Sequence, residues 1–178
     1  MGTRVVLRLR QNKGFSLVEL TVVVFLLGMM LTISMPNLKH SLLTDDLKSI
    51  SRKITGLVKN LRNEAIREQK TYTLHIDFEV NRLWVESVDM KEKEKTLAQA
   101  KAFKLPQGIR IMDVWRRGKG KNADGVIAIP FNKKGYTEQT LLHLSAEDGR
   151  EFTLALSPFL GSIKSYDKYI DIETMPAP

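Results

Sequence analysis

A long apolar run near the N-terminus, from Phe15 to Met35, most constrains what this chain can fold into. As a helix with a rise of 1.5 Å per residue, about 21 residues span roughly 31 Å, enough to cross the hydrocarbon core of a bilayer. The run carries one charged side chain, Glu19, and Pro36 follows it at once. Because an isolated carboxylate in a membrane-length helix is costly, the sequence predicts a partner for Glu19.

The residues before the run form a short basic leader without acidic side chains. Its cations are Arg4, Arg8, Arg10 and Lys13, whereas both signs of charge follow the run. Lys and Arg are enriched on the cytoplasmic side of membrane helices, so the pattern predicts a cytoplasmic N-terminus with the bulk of the chain outside. A secretory signal peptide and an ordinary signal anchor are the alternatives, but the apolar stretch of a signal peptide is only about 7–15 residues long.

Beyond Pro36 the apolar residues recur at helical spacing. Proline lacks an N–H and bends a helix, so a bend is expected there. The apolar stripe, which predicts a helix up to about Gln69 with its apolar face packed on its own domain, contains Leu43, Leu47, Ile50, Ile54, Leu57 and Leu61, widened by Val58, Ala65 and Ile66. A coiled-coil seam is the alternative use of such a stripe.

From Thr71 the pattern changes to alternation, which predicts strands. The candidate strands are residues 71–78, 83–88, 109–115, 125–131, 140–144, 151–156 and 161–165, and the charged run at 91–95 predicts a turn or a short helical piece. The sequence therefore predicts an α+β chain, in which a long bent N-terminal helix packs on an antiparallel β domain of six or seven strands. The predicted parts are a leader at 1–14, a transmembrane half-helix at 15–36, an amphipathic half-helix at 37–70 and a β domain at 71–178.

Residues 13–19, KGFSLVE, together with the apolar run and Pro36, resemble the class III signal of type IV pilins and type II secretion pseudopilins. The resemblance implies that a prepilin peptidase cuts between Gly14 and Phe15 and N-methylates Phe15. It also implies that Glu19 is the glutamate of that family and that Pro36 lies where these helices bend.

Physical chemistry gives Glu19 a role that fits this resemblance. Cleavage would create a cationic terminal amine on Phe15, about 6 Å along the helix from Glu19. Glu19 could then pair with its own terminus or with that of a neighbouring subunit, which would fix subunit register during assembly. The alternative is that Glu19 only reaches the lipid headgroups.

The C-terminal half resembles the GspH/FimT-type pseudopilin domain. The resemblance rests on IPFNKKG at 129–135, on residues 149–158 and on the ending from Pro158 to Ile163, in which Phe-Leu replaces part of the usual P-x-T-G. It implies a type IV pilin-like fold.

The chain has a formal net charge of +8. Four of its 28 basic residues lie in the leader, so 24 would face 20 acidic residues after cleavage. A local excess surrounds Trp115 and Tyr136 and predicts a patch for an acidic partner subunit or, as an alternative, DNA. The patch consists of Arg110, Arg116, Arg117, Lys119, Lys121, Lys133 and Lys134.

Catalysis is not predicted. The three histidines lie far apart, cysteine is absent, and the glycine- and lysine-rich residues 117–121 lack the spacing of a phosphate-binding loop. The sequence therefore predicts no enzyme, no cofactor and no metal site. Absence of cysteine also excludes the disulfide that many major pilins carry, which favours a minor pilin or pseudopilin.

By resemblance, the expected function is that of a structural minor pseudopilin near the tip of a type II secretion pseudopilus, where it helps to initiate assembly. The alternative is a minor type IV pilin in pilus priming or DNA uptake. The implied partners are prepilin peptidase, other pseudopilins or minor pilins in a helical filament, the inner-membrane assembly platform and, before assembly, membrane lipid. The expected location is the bacterial inner membrane as a single-pass protein with a periplasmic domain, and then the periplasmic filament.

Overall fold

The structure is a computed structural model that describes residues 16–158 and 162–172, with the backbone alone for 31–45. It divides into two units, Met1–His40 and Ser41–Pro178. The long helix α1, Leu17–Glu68, contributes to both units and ends one residue before the predicted end. The predicted long N-terminal helix is therefore confirmed.

In the first unit, the described side chains of α1 are all exposed. From Leu17 to Met30 the large apolar residues are between 46% and 82% exposed, with Val23 the least and Leu17 the most. No helix within the described residues is long and apolar enough to cross a membrane. The backbone of α1 is helical through Pro36, whose side chain lies outside the described part, and the bend there stays a prediction.

The second unit continues α1 and adds a short helix and nine strands in the described part of the chain. The short helix α2 is Glu92–Ala100 and begins in the charged run. Of the two predicted alternatives for that run, a turn or a short helical piece, the structure has the helix. The strands are β1 Tyr72–Asp77, β2 Arg82–Ser87, β3 Phe103–Lys104, β4 Ile109–Arg116, β5 Gly120–Asn122, β6 Val126–Phe131, β7 Thr140–Ala146, β8 Glu151–Leu156 and β9 Ile163–Tyr166.

The strands form two antiparallel sheets, with orders β3-β2-β1-β6 and β5-β4-β7-β8-β9. The predicted strand count of six or seven is wrong because β3 and β5 were missed. Strand β3 has two residues and β5 has three, which is too short for an alternating pattern. Each is a strand only because it pairs with a neighbouring strand. For β5 the register places Val114 opposite Asn122 and Arg116 opposite Gly120.

The core of the second unit lies between α1 and the inner faces of both sheets. The predicted apolar stripe is its helical side: Leu47, Ile50, Ile54, Val58, Leu61 and Ala65 are buried, and Leu57 packs partly buried against them. Only Ile66 departs from the prediction, at 39% exposed, and Leu43 lies outside the described side chains. Helix packing on its own domain, rather than a coiled-coil seam, therefore accounts for the stripe.

Asn81 joins the two sheets at the turn between β1 and β2. Its side-chain amide donates a hydrogen bond to the carbonyl of Ile109 at 2.6 Å and accepts one from the N–H of Ile111 at 2.9 Å. The residue adopts a positive φ of 53°, a conformation that asparagine tolerates better than most residues. The side chain of Asn81 thus pairs with backbone groups of β4 in the part of that strand that β5 does not reach.

Strand β7 is buried along its whole length. Its inner face meets the core, and its outer face is covered by the C-terminal strap, which we define as residues 167–172. Within the strap, Ile170 is 3% exposed, and Thr153 on β8 donates to the carbonyl of Lys168 at 2.7 Å and accepts from the N–H of Ile170 at 3.0 Å. The central strands β7 and β8 of the second sheet are therefore covered on both faces.

Candidate functional site

The N-terminal end of α1 is fixed by Ser16. Its hydroxyl accepts a hydrogen bond from the N–H of Glu19 at 3.2 Å, and its carbonyl accepts one from the N–H of Leu20 at 3.2 Å. Serine followed three residues later by glutamate is the sequence pattern of a capping box, which stabilises a helix start. The pattern therefore gives Glu19 a local contribution to stability, because a carboxylate in the first turn also interacts favourably with the helix dipole.

Glu19 is exposed and has no cationic partner among the residues that the structure describes. Gly14 and Phe15, the two residues of the predicted cleavage site, lie outside the described residues, as does the side chain of Pro36. Cleavage, methylation and the pairing of Glu19 with a terminal amine therefore stay predictions.

The segment after this cap exposes apolar side chains around the whole helix. A helix packed on a domain has one apolar stripe, whereas residues 17–30 have no polar face beyond Glu19 and Thr21. The hydroxyl of Thr21 donates to the carbonyl of Leu17 at 2.8 Å, which satisfies it within the helix. Exposed apolar surface of this extent marks a site of interaction with other molecules.

The predicted basic patch does not form one exposed surface in the structure. Arg116, one of its seven residues, is only 9% exposed. Its guanidinium donates to the carbonyl of Ala128 at 2.9 Å and lies 3.5 Å from a carboxylate oxygen of Glu138. Arg116 thus links β4 of the second sheet to β6 of the first, and its charge is not at the surface.

The other six basic residues have different surroundings. Lys119 pairs with Glu138 at 3.1 Å, and Lys121 pairs with Asp113 at 3.1 Å. Arg110 lies on β4 towards the end opposite Arg116 and donates to the hydroxyl of Ser145 at 3.0 Å. The remaining three, Arg117, Lys133 and Lys134, are exposed. Carboxylates therefore offset part of the predicted excess, and DNA binding stays a prediction.

Sequence reasoning missed a buried polar cluster beneath the C-terminal strap. His143 on β7 is 1% exposed and Asp113 on β4 is 2% exposed. One ring nitrogen of His143 lies 2.6 Å from Asp113, and the other lies 3.0 Å from the carbonyl of Ile170. Both neighbours are acceptors, so both hydrogen bonds form only when the ring carries two protons.

Tyr169 and Lys121 complete this cluster. The ring of Tyr169 stacks on His143 with centroids 4.0 Å apart, and Lys121 donates to the hydroxyl of Tyr169 at 2.8 Å. Burial raises the pKa of Asp113, but hydrogen bonds and charges from His143 and Lys121 outweigh it and hold this pKa below its ordinary value. The same contacts with Tyr169 and Asp113 raise the pKa of Lys121. The cluster holds the strap on the sheet.

The sequence offered one indication of this cluster. His143 interrupts the run TLLHLSA, in which the apolar residues do not alternate with polar ones. A strand without alternation is typical of burial on both faces, and a buried histidine then needs polar partners. Which residues would supply them could not be read from the sequence, because Asp113 lies 30 residues away.

The structure explains why the segment IPFNKKG, which leads into the loop after β6, ends in Gly135. This glycine has a φ of 73°, and a Cβ placed on it would lie 2.7 Å from Cγ of Arg62 and 2.8 Å from Cδ1 of Ile66. Its carbonyl accepts a hydrogen bond from Arg62 at 3.2 Å. Only glycine combines this backbone conformation with such a close approach to α1.

The comparisons with known proteins agree with the predicted N-terminal motif and with the observed α+β fold. Residues 9–35 match the family model of the prokaryotic N-terminal methylation motif. Such a motif on this α+β fold makes the chain similar to type IV pilin-like proteins, with a fold like that of a GspH-type minor pseudopilin. The predicted resemblance and fold class are therefore confirmed.

Two solved structures that resemble the chain are of the minor pseudopilin EpsH from the type 2 secretion system of Vibrio cholerae. One has a TM-score of 0.55 and 12% identity and covers 71% of this chain and 99% of that chain. The other has a TM-score of 0.53 and 13% identity and covers 71% of this chain and 97% of that one. At these identities the likeness shows the fold alone. No curated protein matches the chain in sequence.

Proposed function

We propose that the chain is a structural minor pseudopilin subunit, not an enzyme, of a type II secretion pseudopilus. It would enter the filament near the tip and help to initiate assembly for protein export. The observation that carries the proposal is the exposed apolar segment 17–30, which begins three residues after Gly14 and has no polar face beyond Glu19 and Thr21. Such a segment suits lipid before assembly and neighbouring helices after it.

The same segment supports a proposal for the path of the chain. Before assembly, residues 15–36 would lie in the inner membrane, with the leader in the cytoplasm and the β domain in the periplasm. Prepilin peptidase would remove residues 1–14 and methylate Phe15. Glu19, exposed in the first turn of α1, would then meet the terminal amine of its own or a neighbouring subunit.

The processing step is tested by mass spectrometry of the N-terminus in a host with active prepilin peptidase. The expected product begins with methylated Phe15, and a Gly14→Leu variant should remain uncut. An uncut and unmethylated chain in the parent protein would contradict the proposal and favour an ordinary signal anchor.

The role of Glu19 is tested by Glu19→Ala, with Glu79→Ala as a control because Glu79 is an exposed carboxylate of the second unit. We expect Glu19→Ala to reduce incorporation into filaments without changing the melting temperature of the β domain. Unchanged incorporation would remove the pairing role from Glu19.

The filament system is tested by co-purification with candidate partners after crosslinking in the cell. Recovery of the secretion-system pseudopilins and the inner-membrane platform is the expected result. Recovery of pilus subunits instead would assign the chain to the minor type IV pilins, the alternative that the N-terminal motif equally permits.

A further inference from the structure

A groove lies between α1 and the edge strand β9 in the second unit. Its volume is about 350 Å³, and the residues that matter for its chemistry are Arg52, Thr55, Gly56 and Lys59 from α1 and Ile163 and Ser165 from β9. Two cations, two hydroxyls and a bare glycine thus face an exposed strand edge. None of these residues belongs to the predicted basic patch.

The two cations of this groove are free to bind an anion. Arg52 and Lys59 are exposed, lie seven residues apart and therefore project from the same face of α1. Neither has an ion pair in the part of the chain that the structure describes, whereas Lys48 on the same face pairs with Asp167 at 3.7 Å. The groove is therefore positively charged without internal compensation.

Strand β9 offers unpaired backbone groups to the same groove. It is the last strand of its sheet, and the hydrogen bond from the N–H of Ser157 to the carbonyl of Ser162, at 3.1 Å, fixes the pairing pattern with β8. In an antiparallel pair the hydrogen-bonded positions alternate, so the N–H and C=O groups of Ile163 and Ser165 point away from β8. These two residues are the strand residues that line the groove.

No close contact in the described part of the chain requires glycine at position 56. Glycine inside a helix costs about 1 kcal/mol relative to alanine. Its φ is not positive, and a Cβ placed on it would meet nothing within 4 Å. The fold would therefore accept a larger residue, and the bare helix surface instead allows another backbone to approach closely.

We propose that this α1–β9 groove binds an extended acidic segment of another protein. The segment adds to β9 as a further strand, passes over Gly56 and places carboxylates on Arg52 and Lys59. Strand addition serves a polypeptide and not a nucleic acid, and two free cations could neutralise only about two phosphates, a small part of the electrostatic affinity on which DNA binding depends. The proposal goes beyond the proposed function and does not depend on it.

The first test measures peptide binding by the full chain in detergent micelles. The probe is a fluorescent peptide of alternating glutamate and valine, whose carboxylates lie on one face when the peptide is extended. We expect saturable binding, none of a lysine–valine peptide, and at least a tenfold weaker affinity for the double variant R52E/K59E. The matched control K93E/K101E changes the charge equally at exposed positions in or next to α2 and should bind as the parent does.

The second test asks whether peptide binding depends on the shape of the groove as well as on its charge. Gly56→Leu should keep or raise the melting temperature, because leucine is the better helix former, and should weaken peptide binding at least tenfold. Since the chain has no cysteine, Ser165→Cys should exchange with a peptide whose one cysteine is activated as an aromatic disulfide, releasing the aromatic thiol and leaving peptide and protein joined, and Lys93→Cys should not.

Two results would overturn the proposal. One is peptide binding that neither R52E/K59E nor Gly56→Leu weakens. The other is tighter binding of a DNA duplex than of the peptide, lost in the same variants, which would assign the groove to nucleic acid. Neither result would bear on N-terminal processing, so failure here is distinguishable from failure of the proposed function.

Discussion

Two stretches of the same helix use apolar residues in opposite ways. Residues 17–30 expose apolar side chains in every direction, whereas residues 47–65 bury a stripe under two sheets and expose charged residues on the other side. The difference lies in the period of the pattern and not in the presence of apolar residues. Residues 47–65 bury their apolar side chains within their own domain, whereas residues 17–30 leave theirs exposed to other molecules.

The largest expected effect on the second unit comes from Asp113→Asn. The buried carboxylate contacts both His143 and Lys121, and an amide cannot replace it towards both, so the free energy of unfolding should fall by about 3 kcal/mol. Chemical denaturation followed by circular dichroism measures the loss. A loss below about 1 kcal/mol would show that the strap does not need the cluster.

Asp113 also predicts a pH dependence. Its pKa in the folded protein is lower than the ordinary 3.8. The carboxylate therefore contributes stability that is fully present above that pH and is lost as the pH falls through the folded-state pKa. We expect the parent to lose stability as the pH falls below the ordinary pKa of 3.8, and Asp113→Asn to flatten this part of the profile.

The contrast between the two stretches is tested directly by matched truncations. Ile54→Ala, at a residue that is 1% exposed, should lower the free energy of unfolding by about 2–5 kcal/mol. Leu26→Ala, at 54% exposed, should change it by less than about 0.5 kcal/mol. If the two losses were equal, residues 17–30 would also be packed on the domain.

Gly135→Ala tests the contact between the loop after β6 and α1. The positive φ and the clash with Arg62 and Ile66 should together cost about 2–4 kcal/mol. Gly149→Ala is the control, because Gly149 has a φ of 83° but open space around it, and it should cost only about 1–2 kcal/mol. Thermal melting of the two variants separates the clash from the backbone strain.

The smallest effect is expected at the start of the exposed stretch. Ser16→Ala removes the cap and should destabilise the first turn of α1 by about 1 kcal/mol, with the melting temperature of the β domain unchanged. Hydrogen exchange at the amides of Glu19 and Leu20 measures this fraying. Protection unchanged by the substitution would mean that the environment, and not the cap, holds the turn.

Patterns that depend on neighbours in sequence predicted the fold well. The change from helical spacing to alternation at Thr71 located the end of α1 within one residue, and the buried stripe was named almost completely. The segment IPFNKKG at 129–135 was named for its resemblance, and the physical reason for its glycine appeared only when Gly135 was seen against Arg62.

Features that depend on distant pairing could not be predicted. Arg116 counted as a surface cation until the structure placed it between two sheets, and His143 gained its partners from β4 and from the strap. The α1–β9 groove joins residues more than 100 positions apart. The sequence does not show whether a carboxylate lies beside a basic residue. Nor does it show whether the space beside a glycine is empty.

The hydrogen bond from Arg116 to Ala128 also reduces the number of unpaired backbone groups at the free edge of β6. In a strand the N–H and C=O of one residue point the same way, so Ala128 and Pro130 both face the free edge of β6. There the carbonyl of Ala128 is occupied, and Pro130 has no N–H to donate. Two of the groups that a strand of a second copy would need at this edge are therefore missing, which disfavours edge-to-edge pairing of two copies.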